Sequence, residues 1–203
     1  MKQKIKSRTG FAVGASLALM AALTSAPLSA ASSPAGRDST VVLTKEQQAV
    51  AAFVERVKEY IKRREALEEK LPKLSKESRP EDIEAHKTSF QEMVRADRAG
   101  AKQGDVLGPD IAAHIRATIR RAFKGKARAE LRKTALEAET KGVPLRVNQP
   151  YPEAKELVEM PPTLLLKLPQ LPKQLRYRFV GRNMLLMDRE NGLILDYMLK
   201  AIP

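Results

Sequence analysis

The densest group of side chains able to do chemistry in this sequence is a basic run at residues 116–133. Eight lysines and arginines stand there against a single acid, Glu130. Three of them, Arg116, Arg120 and Lys124, recur every four residues, so on a helix they form a basic ridge beside an apolar stripe. Such a ridge can bind phosphates, and it can equally be a solvated face paired with acids on neighbouring helices. The candidate anion-binding residues of the basic ridge are Arg116, Arg120, Arg121, Lys124 and Arg128.

A second, smaller group of arginines lies in the strongly patterned stretch 175–199. Arg176 and Arg178 alternate there with apolar residues. At the two-residue period of a β-strand, this alternation places the arginines on one face and the apolar side chains on the other. Arg182 follows directly, in a predicted tight turn. We expect these three arginines to form a second patch able to bind an anionic partner.

Catalytic and metal-binding chemistry has weak support in the sequence. The two histidines, His86 and His114, are far apart, and each lies near the apolar stripe of its predicted helix, which favours a core position over a metal site. Glutamates cluster at residues 65–69 and 153–159 on predicted polar surfaces, whereas paired catalytic carboxylates must converge across a cleft. No nucleophile elbow, phosphate-binding glycine loop or zinc-protease motif occurs. We therefore expect no catalytic residue, no metal and no cofactor.

Composition limits the remaining classes of protein. The chain has 203 residues, 43% hydrophobic and 30% charged, which is enough to bury the core of one ordinary domain. The absence of cysteine excludes disulfides, thiol catalysis and cysteine metal sites. A formal net charge of +13 favours anionic partners such as nucleic acid, anionic lipid, cell-wall polymer or acidic proteins.

The N-terminal segment 1–31 is typical of a secretory signal peptide. Residues 1–10 are basic, residues 11–23 are apolar and rich in alanine, and the segment ends on small residues suited to cleavage. The apolar run is shorter than the roughly 20 residues that a membrane span requires. We expect export by the general route to the periplasm or the exterior, followed by a linker at residues 32–42.

Residues 43–142 are predicted to form the helical region that carries the basic ridge. Thr44 with Gln47 three residues later is a capping box, and a helix is predicted from there to about residue 70. Pro80 indicates the start of a second helix, which ends before Gly100, and a third helix begins at about residue 110. A fourth helical segment is predicted at 127–140.

Residues 143–203 are predicted to form a proline-rich strap followed by a small sheet. Prolines interrupt short apolar pieces up to residue 172, with a short strand at 145–148 and one helical turn at 162–168. Three strands then follow as an antiparallel meander, with turns at Gly181 and Gly192. The middle strand is apolar on both faces, so we expect the helices to cover one face and the leucines of the strap to cover the other. The fold class predicted is α+β, with an N-terminal helical bundle packed against this sheet.

Two resemblances to known families arise from these segments. The sequence around Tyr177-Arg-Phe-Val-Gly-Arg182 and Leu193-Ile-x-Asp-Tyr197 resembles the C-terminal signature of exported bacterial proteins of unassigned function, and its closing hairpin is loosely similar to that of small periplasmic proteins of nickel and cobalt homeostasis. Separately, Leu43-Thr44-x-x-Gln47 is similar to the motif of the Spy/CpxP periplasmic stress chaperones. The first resemblance implies export, and the second implies binding of apolar clients on a helical cradle.

These observations predict a non-catalytic binding or structural protein of the envelope. The leading hypothesis is electrostatic docking on an anionic envelope surface or an acidic protein. The alternative is a periplasmic stress chaperone, and the third is a hydrolase with dispersed carboxylates. Nucleic acid is disfavoured, because the leader removes the protein from the cytoplasm and no aromatic stacking pattern accompanies the charge. Salt dependence distinguishes the first two hypotheses, because electrostatic docking weakens steeply as salt rises and the binding of apolar clients does not.

Overall fold

Helices in the N-terminal half and an antiparallel sheet at the C-terminus confirm the predicted α+β fold class. The computed structural model describes residues 43–126, 129–130, 133–134, 143–152, 154–155 and 157–202. The predicted signal peptide and linker lie outside these described residues, as does most of the predicted fourth helical segment. None of the helices in the described ranges is long and apolar enough to cross a membrane.

Helices α1 (Lys45–Glu68), α2 (Pro80–Asp97) and α3 (Pro109–Ala122) precede the sheet, and their starts follow the signals in the sequence. The predicted capping box is present at the start of α1, with Thr44 and Gln47 each accepting a backbone N–H of the other. Helices α2 and α3 each have proline at the first position, where no N–H is needed. Further helical residues are described at 125–126, 129–130 and 133–134, at the predicted fourth helical segment.

The sheet has four strands, so the prediction of three was wrong. Strands β2 (Leu175–Val180), β3 (Asn183–Asp188) and β4 (Ile194–Met198) form the predicted meander, and the short β1 (Val158–Glu159) pairs antiparallel with β2, giving the order β1-β2-β3-β4. The two predicted turn glycines, Gly181 and Gly192, both adopt positive φ. A two-residue strand shows no alternation, which is why β1 escaped the sequence analysis.

The leucines of the strap cover the same sheet face as the helices, which corrects the predicted arrangement. A four-residue helix, α4 (Pro162–Leu165), confirms the predicted helical turn. Its buried Leu164 and the following Leu168 belong to the main core, with the inner residues of the helices and of β2. The opposite face is covered by Tyr151 and by partly buried apolar residues of the segment 143–157. Alternation shows that a strand has two faces, but it does not show which distant segment covers each.

The predicted strand at 145–148 is also absent from the described residues. Asn148 adopts φ 62° in a turn, and its backbone N–H donates to the carbonyl of Ile194 at 2.8 Å. Its side-chain amide donates to the carbonyls of Arg95 and Arg98 at the end of α2. The segment therefore joins the last helical turn of α2 to the edge of β4 without forming a strand.

Candidate anion-binding site

Arg116, Arg120 and Arg121 of the basic ridge lie in the C-terminal half of α3. Lys124 lies beyond the end of this helix, because Phe123 is extended, so the predicted continuous ridge is interrupted there. Part of the ridge also bonds to the chain itself. Arg116 donates to the carbonyl of Leu199 at 3.0 Å, and Arg121 donates to the Thr118 hydroxyl at 3.2 Å. Arg120 and Lys124 are exposed. Arg128 lies outside the described residues. Cations in the last turn of a helix interact favourably with its dipole, so the position of this ridge also has a structural explanation.

The arginines of β2 lie on the outer face of the sheet, as their alternation predicts. Arg176 is paired in register with Met187 and Arg178 with Leu185, and both of these apolar neighbours belong to the outer cluster rather than the main core. Arg182 does not join them. It lies in the β2–β3 turn, where its Nε donates to the carbonyl of Ile202 at 2.9 Å.

Arg176 and Arg178 line a small cavity with two further cations, Lys173 and Arg189, which we call the basic groove. Its volume is about 190 Å³, and its described lining residues include no carboxylate. Arg176 and Arg189 also line a neighbouring cavity of about 450 Å³, whose lining includes Tyr151 and Glu190. The two arginines therefore line both cavities.

Arg176 is half-buried, and it lines the 450 Å³ cavity together with Glu190. Its Nε is buried and has no hydrogen-bond partner. Arg178 beside it is held by Glu159, with Nη2 to Oε1 at 3.0 Å, and it also donates to its neighbouring carbonyl of Tyr177. Burial, and then the charge of Arg176, lower the pKa of Arg178, and Arg189 adds to this effect. The cluster therefore places like charges close together, which an anion would relieve.

A second arginine, Arg64 of α1, shows what a compensated buried cation looks like in this fold. Its side chain is only 3% exposed and lies 4.8 Å from the centroid of the Phe90 ring. It donates to Asp188 at 2.8 Å and pairs with Glu68 and Glu190. Burial opposes the charge on Arg64, but these three carboxylates together raise its pKa. Each of the three nitrogens of its guanidinium therefore has a carboxylate partner within the chain.

Asp188 is the centre of this buried network. Its Oδ2 accepts from Arg64 and from the Tyr60 hydroxyl, the latter at 2.7 Å, while Oδ1 accepts the backbone N–H groups of Glu190 and Asn191. Burial, and then the charge of Asp188, raise the pKa of Tyr60. The network fixes the β3–β4 turn to α1.

Asp196 of β4 is a second buried carboxylate, and it holds the loop between α2 and α3. It accepts the backbone N–H groups of Gly104, Val106 and Leu107 at 2.7–3.1 Å. Nearby, Arg98 donates to the carbonyl of Leu195 at 2.8 Å and lies over the Tyr60 ring. Arg98 Nε also lacks a partner, while Arg98 Nη2 donates to Leu195, so Arg98 differs from Arg176 in standing outside the cluster of cations in the basic groove.

A third cavity, of about 540 Å³, lies at the connection between α1 and α2 and is lined by carboxylates and apolar groups. Glu65, Glu68, Glu69 and Glu190 line it together with His86. Sequence analysis placed Glu65–Glu69 on a solvated face, but Glu68 pairs with the buried Arg64. Across the described residues, no three potential ligands are grouped to hold a metal ion.

Two members of the basic groove, Lys173 and Arg189, were missed by sequence reasoning. They belong to the strap and to the β3–β4 turn, whereas Arg176 and Arg178 belong to β2. The antiparallel register pairs Leu175 with Asp188, and this pairing is what brings Arg189 beside the start of β2. A signal was available in the predicted meander, because a correctly registered hairpin places residue 189 next to residue 175.

In comparisons with known proteins, no family model, no curated protein and no solved structure matches this chain.

Proposed function

We propose that this chain is an exported, non-catalytic binding protein that docks through the basic groove on an anionic surface or partner of the cell envelope. The secretory character of segment 1–31 supports export, and the resemblance of the C-terminal stretch to exported bacterial proteins agrees with it. The net charge of +13 supports an anionic partner.

One observation carries the choice of site: Arg176 Nε is buried without a hydrogen-bond partner in a cavity whose other charged described residues are also cations. A buried guanidinium N–H without an acceptor is costly, and clustering the half-buried Arg176 with like charges adds to the cost. A planar guanidinium binds phosphate or carboxylate through two parallel hydrogen bonds, so an anion in the groove would offset both costs.

The basic ridge of α3 supports the proposal less well as a docking site. The exposed Arg120 lies on α3 and the exposed Lys124 lies beyond its end, so the two do not share one helix face. Arg116 and Arg121 donate to acceptors of the chain, as Arg178 and Arg189 of the basic groove also do. The basic groove instead offers a concave space with cations drawn from three separate segments. Concave sites with converging charges bind small anionic groups more selectively than convex ridges do.

The test is calorimetric titration of the mature chain, residues 32–203, with inorganic phosphate and pyrophosphate at low and at physiological salt. We expect binding that weakens with salt and that falls at least tenfold when Arg176 and Arg189 are both changed to alanine. Lys62→Ala, which removes one exposed cation of α1, is the matched control and should bind as the wild type does. Equal binding by the double variant and the wild type would contradict the proposal, and loss of binding in an Arg120→Ala, Lys124→Ala variant would transfer the site to the ridge.

A stress chaperone is the second candidate, and exposed apolar residues near the α1–α2 connection favour it. Leu74 is 42% exposed and lines the 540 Å³ cavity, and Ile83, in the first turn of α2, is 44% exposed. A chaperone acting there should suppress aggregation of an unfolded client equally well at low and high salt. Leu74→Ser with Ile83→Ser should abolish that suppression and leave anion binding unchanged.

A further inference from the structure

The turn that forms α4 projects two leucines into solvent while two others fix it to the core. Leu166 is 81% exposed and Leu165 is 38% exposed, whereas Leu164 and Leu168 are buried at 0% and 4%. Backbone hydrogen bonds from Lys167 to Leu164 and from Leu168 to Leu165 close the turn. The projecting leucines are therefore held in place on an anchored turn, where exposure of a large apolar side chain has no structural benefit.

These leucines are adjacent to the basic groove. Leu165 itself lines the groove with the four cations, and the exposed Lys167 directly follows Leu166. Exposed apolar side chains next to lysine and arginine are typical of a protein that binds the surface of an anionic bilayer. The apolar side chains enter the boundary between headgroups and acyl chains, and the cations bind lipid phosphates.

The shape of this surface favours a bilayer over an acidic protein. Two leucines and a lysine on a single turn cover far less than the roughly 800 Å² per partner of a stable protein interface. A fluid bilayer requires no complementary pocket, so a small apolar projection beside a phosphate-binding groove is sufficient.

We propose that α4 and the basic groove together dock the protein on a bilayer containing anionic phospholipid, with Leu165 and Leu166 entering the interface and Arg176 and Arg189 binding a headgroup phosphate. This inference rests on the proposed function, since it requires the groove to bind an anion, and it narrows the anion to a lipid headgroup.

The experiment is flotation of the mature chain with vesicles of phosphatidylcholine alone and of phosphatidylcholine and phosphatidylglycerol in equal parts. We expect binding to the anionic vesicles only. The variant Leu165→Ser with Leu166→Ser should lower vesicle affinity on the order of a hundredfold, which is about tenfold for each leucine, and should bind inorganic phosphate as the wild type does. Leu74→Ser is the matched control and should bind vesicles normally, because this exposed leucine lines a cavity in which four glutamates outnumber the single lysine, Lys73.

Two results would overturn the inference while leaving the proposed function intact. The first is phosphate binding in the groove with no binding to anionic vesicles, which would indicate a free anion or an acidic protein. The second is wild-type vesicle affinity in the double serine variant. Absence of phosphate binding by the wild type would instead count against the groove as an anion site, and both proposals would then fail.

Discussion

Arg64 and Arg176 are two partly or fully buried arginines with opposite surroundings. Arg64 is enclosed by the carboxylates of Asp188, Glu68 and Glu190, whereas the charged described neighbours that line the groove with Arg176 are cations. A buried charge that holds the fold together is matched within the chain. A charge left unmatched in a cavity costs stability, and such a cost persists where it serves binding.

One turn supplies both environments. Asp188 and Glu190 contact Arg64 on the helix side, while Arg189 between them lines the basic groove. Because β3–β4 turn residues alternate between the two sides, the same short segment fixes α1 and positions a groove cation. Substitutions at Asp188 or Glu190, on the helix side of this turn, should therefore lower the free energy of unfolding. Substitution of Arg189, on the groove side, should weaken anion binding.

The largest effect is expected from Asp188→Ala. The change removes the acceptor of Arg64, of the Tyr60 hydroxyl and of two backbone N–H groups, so we expect the free energy of unfolding to fall by about 3–5 kcal/mol. Urea unfolding measures it. The control is Asp82→Ala, which breaks an exposed pair with Arg79 and should leave the unfolding midpoint unchanged. Similar midpoints for the two variants would mean that the buried network does not hold the fold.

Asp196→Ala should have the next largest effect. Three backbone amides of the α2–α3 loop lose their acceptor. A buried N–H group without a partner costs about 1–3 kcal/mol, and water recovers part of this cost. We therefore expect the free energy of unfolding to fall by about 3 kcal/mol. Hydrogen exchange should accelerate at Val106 and Leu107, while the amides of β2, which is not paired with β4, keep their protection relative to global unfolding. Unchanged exchange at Val106 and Leu107 would contradict the assigned role.

Alkaline pH should lower the free energy of unfolding through the buried network around Arg64, by less than either of these two substitutions. The raised pKa of Tyr60 means that the folded chain keeps a proton that the unfolded chain releases above pH of about 10. Stability is therefore fully present below that pH, and it falls above it by up to about 1.4 kcal/mol per pH unit for this tyrosine. Tyr177, whose pKa is raised by burial, should contribute a second decrease of the same sign.

Urea unfolding between about pH 9 and about pH 11 measures this slope, and Tyr60→Phe should make it shallower. The slopes are compared rather than the absolute stabilities, because the substitution also removes the hydrogen bond to Asp188. A Tyr60 that ionises near its ordinary pKa while the protein stays folded would contradict the buried network.

The α+β fold was predictable where local signals specify it. The capping box of Thr44 and Gln47 set the start of α1, and the glycines at 181 and 192 marked the turns of the meander. These features depend on residues within a few positions of one another, so their physical causes are visible in the sequence.

Long-range features were not predictable to the same extent. Asp188 and Tyr60 are 128 residues apart, and nothing in the sequence around either residue indicates the other. Likewise the arginines of β2 were recognised, but Arg189 and Lys173 join them only through strand register and the path of the strap. The sheet face covered by the leucines of the strap was predicted wrongly for the same reason, since alternation does not identify the covering segment.

The central claim, that Arg176 is kept for binding rather than for the fold, is tested most directly by the unfolding of Arg176→Met with and without inorganic phosphate. In phosphate-free buffer the variant should be within about 0.5 kcal/mol of the wild type, or more stable. Phosphate at about one hundred times its dissociation constant should stabilise the wild type by about 2.7 kcal/mol and leave the variant unchanged. A variant that loses several kcal/mol without phosphate, or that phosphate stabilises as it does the wild type, would contradict the account.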